Sequence, residues 1–103
     1  MSETFKTNPK PFVELSEILK ALSHPQRICI VKSIIEKKNC CVNDMSECLS
    51  ENQPTVSRHI SVLKAAGIIK GDRQGTFIYY SFKTENVKKI IETIINEHFK
   101  NNL

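Results

Sequence analysis

Apolar residues recur at helical spacing along most of this 103-residue chain. Phe12, Leu15, Ile18, Leu19 and Leu22 mark a first amphipathic helix. Ser23-His24-Pro25-Gln26 then predicts a second start, with Ser23 as the cap and Pro25 inside the first turn. Ile28, Val31, Ile34 and Ile35 supply that helix's core face, which ends near Glu36-Lys37-Lys38. Val42 to Leu49 is a short helical run with Met45, Cys48 and Leu49 on one side. After the tight connection Ser50-Glu51-Asn52-Gln53, residues 52–67 carry Val56, Ile60 and Leu63 at i, i+4 and i+7, a single buried seam. Gly67 is placed to end that helix in a left-handed cap. Two β-rich runs then flank the turn Asp72-Arg73-Gln74-Gly75. Thr84 caps a last helix with Val87, Ile90, Ile91, Ile94, Ile95 and Phe99 on its apolar side. The expected fold is mainly α with a small two-stranded β-wing.

The polar face of residues 52–67 is the unusual one. Opposite the seam lie Pro54, Arg58, Ser61 and Ala65, flanked by Thr55, Ser57 and Lys64. A surface helix ordinarily carries long Glu and Lys side chains there. This one is nearly free of acid and short in side chain, as a helix must be to sit deep in a DNA major groove. A solvated Ser/Thr-rich helix fits the same residues equally well when they are taken alone. What surrounds them decides the matter. A short helix, a turn of three or four residues, the bare-faced helix and a hairpin with Arg73 and Gln74 at its tip follow in the order of a winged helix-turn-helix.

Size and charge agree. The chain is long enough for one domain with a modest core: residues 1–11 as a flexible arm, with Pro9 and Pro11 holding off an early helix, and 12–100 as the winged domain with N- and C-terminal dimerisation helices. No apolar run approaches a membrane span, and residues 1–11 lack the apolar stretch of a signal peptide, so a cytoplasmic protein without a membrane partner is expected. The formal net charge is +4. Residues 50–82 hold Arg58, Lys64, Lys70 and Arg73 against only Glu51 and Asp72, a local positive field suited to salt-dependent DNA binding.

Three segments resemble the ArsR/SmtB family of small bacterial winged-helix repressors, which sense metals, metalloids or redox species: 19–28, 53–63 and 66–69, with the wing of 72–80 matching as well. The likeness runs from about Phe12 to Phe82. It implies a homodimer that represses transcription until an effector loosens it from its operator. It also implies DNA contacts by Gln53, Thr55, Ser57, Arg58 and His59, with Arg73 and Gln74 at the wing; Ser61 and Lys64 join them from the helix face. The helical wheel sets His59 on the flank, nearer a phosphate than a base, whereas the fork of Arg58 suits a guanine edge. The wide aliphatic stripe of the last helix either packs on its own core or shares a two-fold interface with the first helix. The shared role is the expectation. Two recognition helices then lie about 34–36 Å apart on double-stranded DNA, over an imperfect inverted repeat.

The family's metal sites do not carry over intact. Of its Cys-x-Cys pair only Cys41 aligns, with Asn43 in the second place, and His98 is one residue out of register with the site on the last helix. Four cysteines remain: Cys29, Cys40, Cys41 and Cys48. Cys29 and Cys48 read as packing thiols. Cys41 stands where Ser or Thr would cap the next helix, a place that favours thiolate, though Asp44 opposes it. Cys40 and Cys41 are thus the expected sensing locus, for a thiophilic metal or metalloid such as As(III), or for oxidant or persulfide, with Cys48 the third thiol. Cys41 and Cys48 lie about 10 Å apart along a helix, so joining them requires that helix to melt. The competing possibility is that no cysteine senses anything. Other functional classes fit less well. A protein-binding winged module tolerates acid on its recognition helix, and none occurs from 54 to 71. An enzyme is not expected: the three histidines are scattered, and neither a Gly-rich phosphate loop nor a carboxylate pair stands out.

Overall fold

The computed structural model describes residues 4–37 and 40–102. Its elements are α1 (Lys10–Leu22), α2 (Pro25–Glu36), β1 (Cys40–Cys41), α3 (Val42–Leu49), α4 (Gln53–Ala65), β2 (Ile69–Gln74), β3 (Phe77–Phe82) and α5 (Glu85–Lys100). The apolar positions converge on one core: Ile30, Val31 and Ile34 of α2, Met45 of α3, Val56, Ile60 and Leu63 of α4, and Ile91 and Ile95 of α5 are all buried. Ile68, Ile69 and Tyr80 close it beneath the sheet.

The wing has three strands, not two. Its order is β1-β3-β2, antiparallel throughout, with Cys40 opposite Tyr80, Cys41 opposite Tyr79, and Ile69 opposite Phe82. β1 is two residues long, too short for any alternation to show in sequence, and it occupies the edge of β3 that the hairpin leaves unpaired. Gly67 and Gly75 have φ of +78° and +64°, the left-handed values their turns demand. Within β2, Gly71 faces Tyr80 so closely that a Cβ there would lie 2.9 Å from Ile78 Cγ2 and 3.0 Å from Tyr80 Cε1.

Two helix starts differ from expectation. α1 begins at Lys10, ahead of Pro11, because the first turn has no intrahelical N–H partner to lose and so accepts proline. Just before it, the Phe5 ring meets the edge of Phe12, centroids 6.0 Å apart. The cap of α2 is His24, not Ser23: His24 Nδ1 accepts from the Gln26 backbone N–H at 3.1 Å, while Ser23 closes the end of α1. α3 and α4 meet at Ser50, whose φ of 55° makes the sharp bend, and Asn52 Oδ1 then caps α4 by accepting from Thr55 N–H at 2.9 Å.

On the far side, α1 and α5 leave a large apolar surface open. Phe12, Val13, Leu15, Leu19 and Ile94 are each more than two-fifths exposed. Leu19 and Ile94 line a groove of about 340 Å³ with Ile28, Ile91, His98 and Phe99. The stripe on α5 is therefore divided, Ile91 and Ile95 serving the core and Ile94 facing outward. No helix among the described residues is long and apolar enough to cross a membrane.

Candidate nucleic-acid interface

Helix α4 turns its seam inward and its bare face to solvent. Val56, Ile60 and Leu63 are buried, while Gln53, Pro54, Ser57, Arg58, Ser61, Lys64 and Ala65 are exposed and Thr55 is half-buried. The side chains on this face are restrained by one another. Arg58 Nη2 donates to Thr55 Oγ1 at 3.4 Å, Ser61 Oγ donates to the Ser57 carbonyl at 3.0 Å, and Gln53 Nε2 donates to Asn43 Oδ1 on α3. Arg73 and Gln74 stand exposed at the tip of the β2–β3 hairpin. The result is an uncovered, acid-free ridge beside a projecting finger with a cation near its end.

His59 is not part of that face. It is only 8% exposed, tucked between α4 and the start of α2, where the wheel had set it on the flank. At about 100° per residue His59 lies only about 40° from Leu63, within the width of a core stripe. Its ring is clasped on both nitrogens. Arg27 Nε donates to Nδ1 at 3.2 Å, which leaves Nε2–H to donate to Gln26 Oε1 at 2.9 Å. Gln26 Nε2 in turn donates to Glu51 Oε2 at 3.0 Å, and Arg27 Nη1 to the Ala21 carbonyl at 3.3 Å. The His24 ring sits 4.5 Å from that of His59. Burial above all, then the charges of His24, Arg27 and Arg58, lower the His59 pKa from 6.5 and keep the ring neutral; Glu51 pulls weakly the other way. This chain of hydrogen bonds ties α2, the α3–α4 turn and α4 together from behind the exposed face. Residue type and spacing gave no sign of it: Gln26 entered only as part of the start of α2, and Glu51 only in the turn before α4 and the local charge balance.

The cysteines are arranged differently from expectation. Cys40 is fully buried opposite Tyr80, and burial, followed by Asp44, pushes its thiol up to about 11. Its side chain belongs to the core, shielded from solvent. Cys41 does cap α3, half-buried, but Asp44 Oδ2 takes its backbone N–H at 3.1 Å and its thiol at 3.4 Å. These two bonds hold the Asp44 carboxyl below the usual carboxylate range. Cys48 is exposed, not packed into the core, and Cys29 is half-buried. Among the described residues, no three His, Cys, Asp or Glu side chains come together as a metal-binding group.

Five helices among the described residues, with a helix-turn-helix at α3–α4 and an antiparallel wing, define a winged helix-turn-helix protein. The family model described as bacterial regulatory protein, arsR family, matches residues 24–70, spanning the clasp, α4 and the entry to the wing. The chain is 36% identical over 83 residues to the uncharacterized HTH-type transcriptional regulator MJ1325 of Methanocaldococcus jannaschii, covering 81% of this chain and 93% of that one. It belongs to the arsR family. The crystal structure of the transcriptional repressor PagR of Bacillus anthracis superposes with a TM-score of 0.74 at 31% identity, over 84% of this chain and 99% of that one. The homodimeric winged helix-turn-helix DNA-binding domain of Mb0332 from Mycobacterium bovis shares the fold at a TM-score of 0.80 and 20% identity, over 97% and 92% of the two chains. The relatives are regulators of transcription, not enzymes.

Proposed function

We propose that this chain is a cytoplasmic, homodimeric repressor that reads an imperfect inverted repeat in double-stranded DNA and is released by a thiol-directed effector. One observation carries the DNA reading: Ser57, Arg58 and Ser61 are uncovered on a helix face without acid, beside the wing tip. On this reading Arg58 addresses a base edge, Gln53, Thr55, Ser57 and Ser61 pack along the groove wall, and Lys64, Arg73 and Gln74 hold the backbone. His59 positions α4 and touches no DNA. The open apolar surface of α1 and α5 supports dimerisation, in keeping with the homodimeric Mb0332 domain, and the repressor PagR supports the sign of regulation. For the effector, the accessible thiols are Cys41, Cys48 and Cys29; an oxidant, a persulfide or a metalloid such as As(III) would address these.

The test is a gel-shift titration on the DNA upstream of the protein's own gene, at two salt concentrations, with wild type and Arg58→Ala. A base-reading arginine removed should cost about 1–3 kcal/mol of operator affinity. Binding of wild type should weaken steeply with salt. An Arg58→Ala protein that binds as tightly as wild type would overturn the placement of α4 in the groove.

A further inference from the structure

Ser33 lies one turn after Cys29 on α2 and is itself buried. Its hydroxyl reaches the Cys29 carbonyl at 3.0 Å and the Cys48 sulfur, on α3, at 3.7 Å. Cys48 is thereby held against the same stretch of α2 that carries Cys29. Burial first, then the charge and side chain of the neighbouring Cys48, raise the Cys29 pKa. Cys48 is open to solvent, whereas Cys29 is half-buried behind it. An exposed attacking thiol with a shielded second thiol beside it is the arrangement a reversible oxidation requires.

We propose that Cys29 and Cys48, adjacent across the α2–α3 contact, close to an intramolecular disulfide when the protein meets hydrogen peroxide, and that this bond weakens operator binding. The second half rests on the repressor reading above. The Cys48 thiolate attacks one peroxide oxygen and breaks the O–O bond, giving sulfenic acid and, after protonation of the leaving hydroxide, water. The Cys29 sulfur then attacks the Cys48 sulfur; its proton leaves with the sulfenic hydroxyl as a second water. Two thiols lose two electrons in all, and the peroxide gains them. A dithiol reductant reverses the change by exchange.

The mechanical consequence follows from position. Bonded sulfurs sit about 2.05 Å apart, inside any noncovalent sulfur contact. Closing the bond draws the last turn of α3 onto α2. That turn leads directly into the left-handed Ser50, then Glu51, which accepts from Gln26, then the Asn52 cap of α4. A shift at Cys48 is therefore handed to the base of the recognition helix within four residues.

Treating the protein with hydrogen peroxide, alkylating residual thiols and digesting with trypsin tests this directly. Residues 28–32, carrying Cys29, should appear joined to residues 39–58 by way of Cys48, two hydrogens lighter than the separate peptides, with the protein still monomeric on a non-reducing denaturing gel. Operator affinity should fall about tenfold or more on oxidation, return with dithiothreitol, and stay unaffected by peroxide in Cys48→Ser. Cys29→Ser should leave a Cys48 sulfenic acid that a 1,3-diketone traps. A cross-link through Cys40 or Cys41, a link only between protomers, or no link at all overturns the proposal; so does a Cys29–Cys48 bond that leaves DNA affinity unchanged. Reduced protein that binds no DNA would fell the repressor reading alone, since the joined peptides still decide whether this pair oxidises.

Discussion

Replacing His59 with alanine tests whether α4 is held in place by polar contacts as well as by its apolar seam. The ring accepts from the charged Arg27 guanidinium and donates to neutral Gln26. Hydrogen bonds of these kinds contribute about 1.5–3 and about 0.5–1.5 kcal/mol respectively. Arg27 and Gln26 are only half-buried and can turn toward water, so the combined loss sits near the lower sum, about 2–3 kcal/mol. Against a total of about 5–15 kcal/mol that is a large fraction. With a urea dependence of about 1–3 kcal/mol per molar, the unfolding midpoint should fall by about 0.7–3 M, read by circular dichroism at one fixed protein concentration.

A pH series sharpens the test. The folded-state pKa of His59 is depressed below its ordinary 6.5. Below 6.5 the unfolded chain therefore binds the extra proton first, and the stability His59 contributes is lost as pH falls from there toward the folded value. Once protonated, Nδ1 can no longer accept from Arg27, and the new cation faces Arg27, His24 and Arg58 with only Glu51 opposing. The stability gap between wild type and His59→Ala should be full near about pH 7.5 and shrink toward about pH 5. A midpoint shift under about 0.3 M, or a gap independent of pH, would refute the clasp as a stabilising device.

Two further substitutions probe the other faces. Ile94→Glu places a charge on the open α5 surface beside Leu19 while Ile91 and Ile95 keep their core contacts; sedimentation velocity should show dimerisation weakened by about tenfold or more with helicity intact, and a persistent dimer would exclude this surface as the interface. Gly71→Ala forces a methyl to within 2.9 Å of Ile78 and 3.0 Å of the buried Tyr80 ring. Overpacking of that kind costs about 1–3 kcal/mol, so the melting temperature should drop by about 5 °C or more, and an unchanged value would show that the wing has room to adjust.

The helices were legible in sequence wherever one face had to be apolar. The seam Val56, Ile60, Leu63 and the apolar stripe on α5 both follow from period, although which of its isoleucines enter the core does not, and the two positive-φ glycines mark their turns. The short strand β1 was not legible, because two residues carry no period and its pairing depends on an edge that exists only once β2 and β3 have met. The helix starts slipped for a related reason. Ser23 has the better capping chemistry, yet the chain bends one residue later and His24 Nδ1 takes the role.

The bare outer face of α4 could be read because it is defined by what it lacks, and acid is either in a sequence or not. His59 resisted for the opposite reason: histidine serves equally as a surface cation or a buried donor and acceptor, and only the arrival of Arg27 and Gln26 from 32 and 33 residues away settles which. The cysteines mislead along the chain in the same way. Cys40 and Cys41 are adjacent, but successive residues of a strand face opposite ways, so one enters the core while the other caps α3. Ser33 and Cys48 are distant in sequence, yet their side chains meet at 3.7 Å. Both contacts lie on α2, whose Gln26 and Arg27 hold α4 and the turn before it, while Ser33, two turns further on, meets α3. α2 thus meets the helix-turn-helix at two points, and a covalent change at one of them lies close along the same helix to the other.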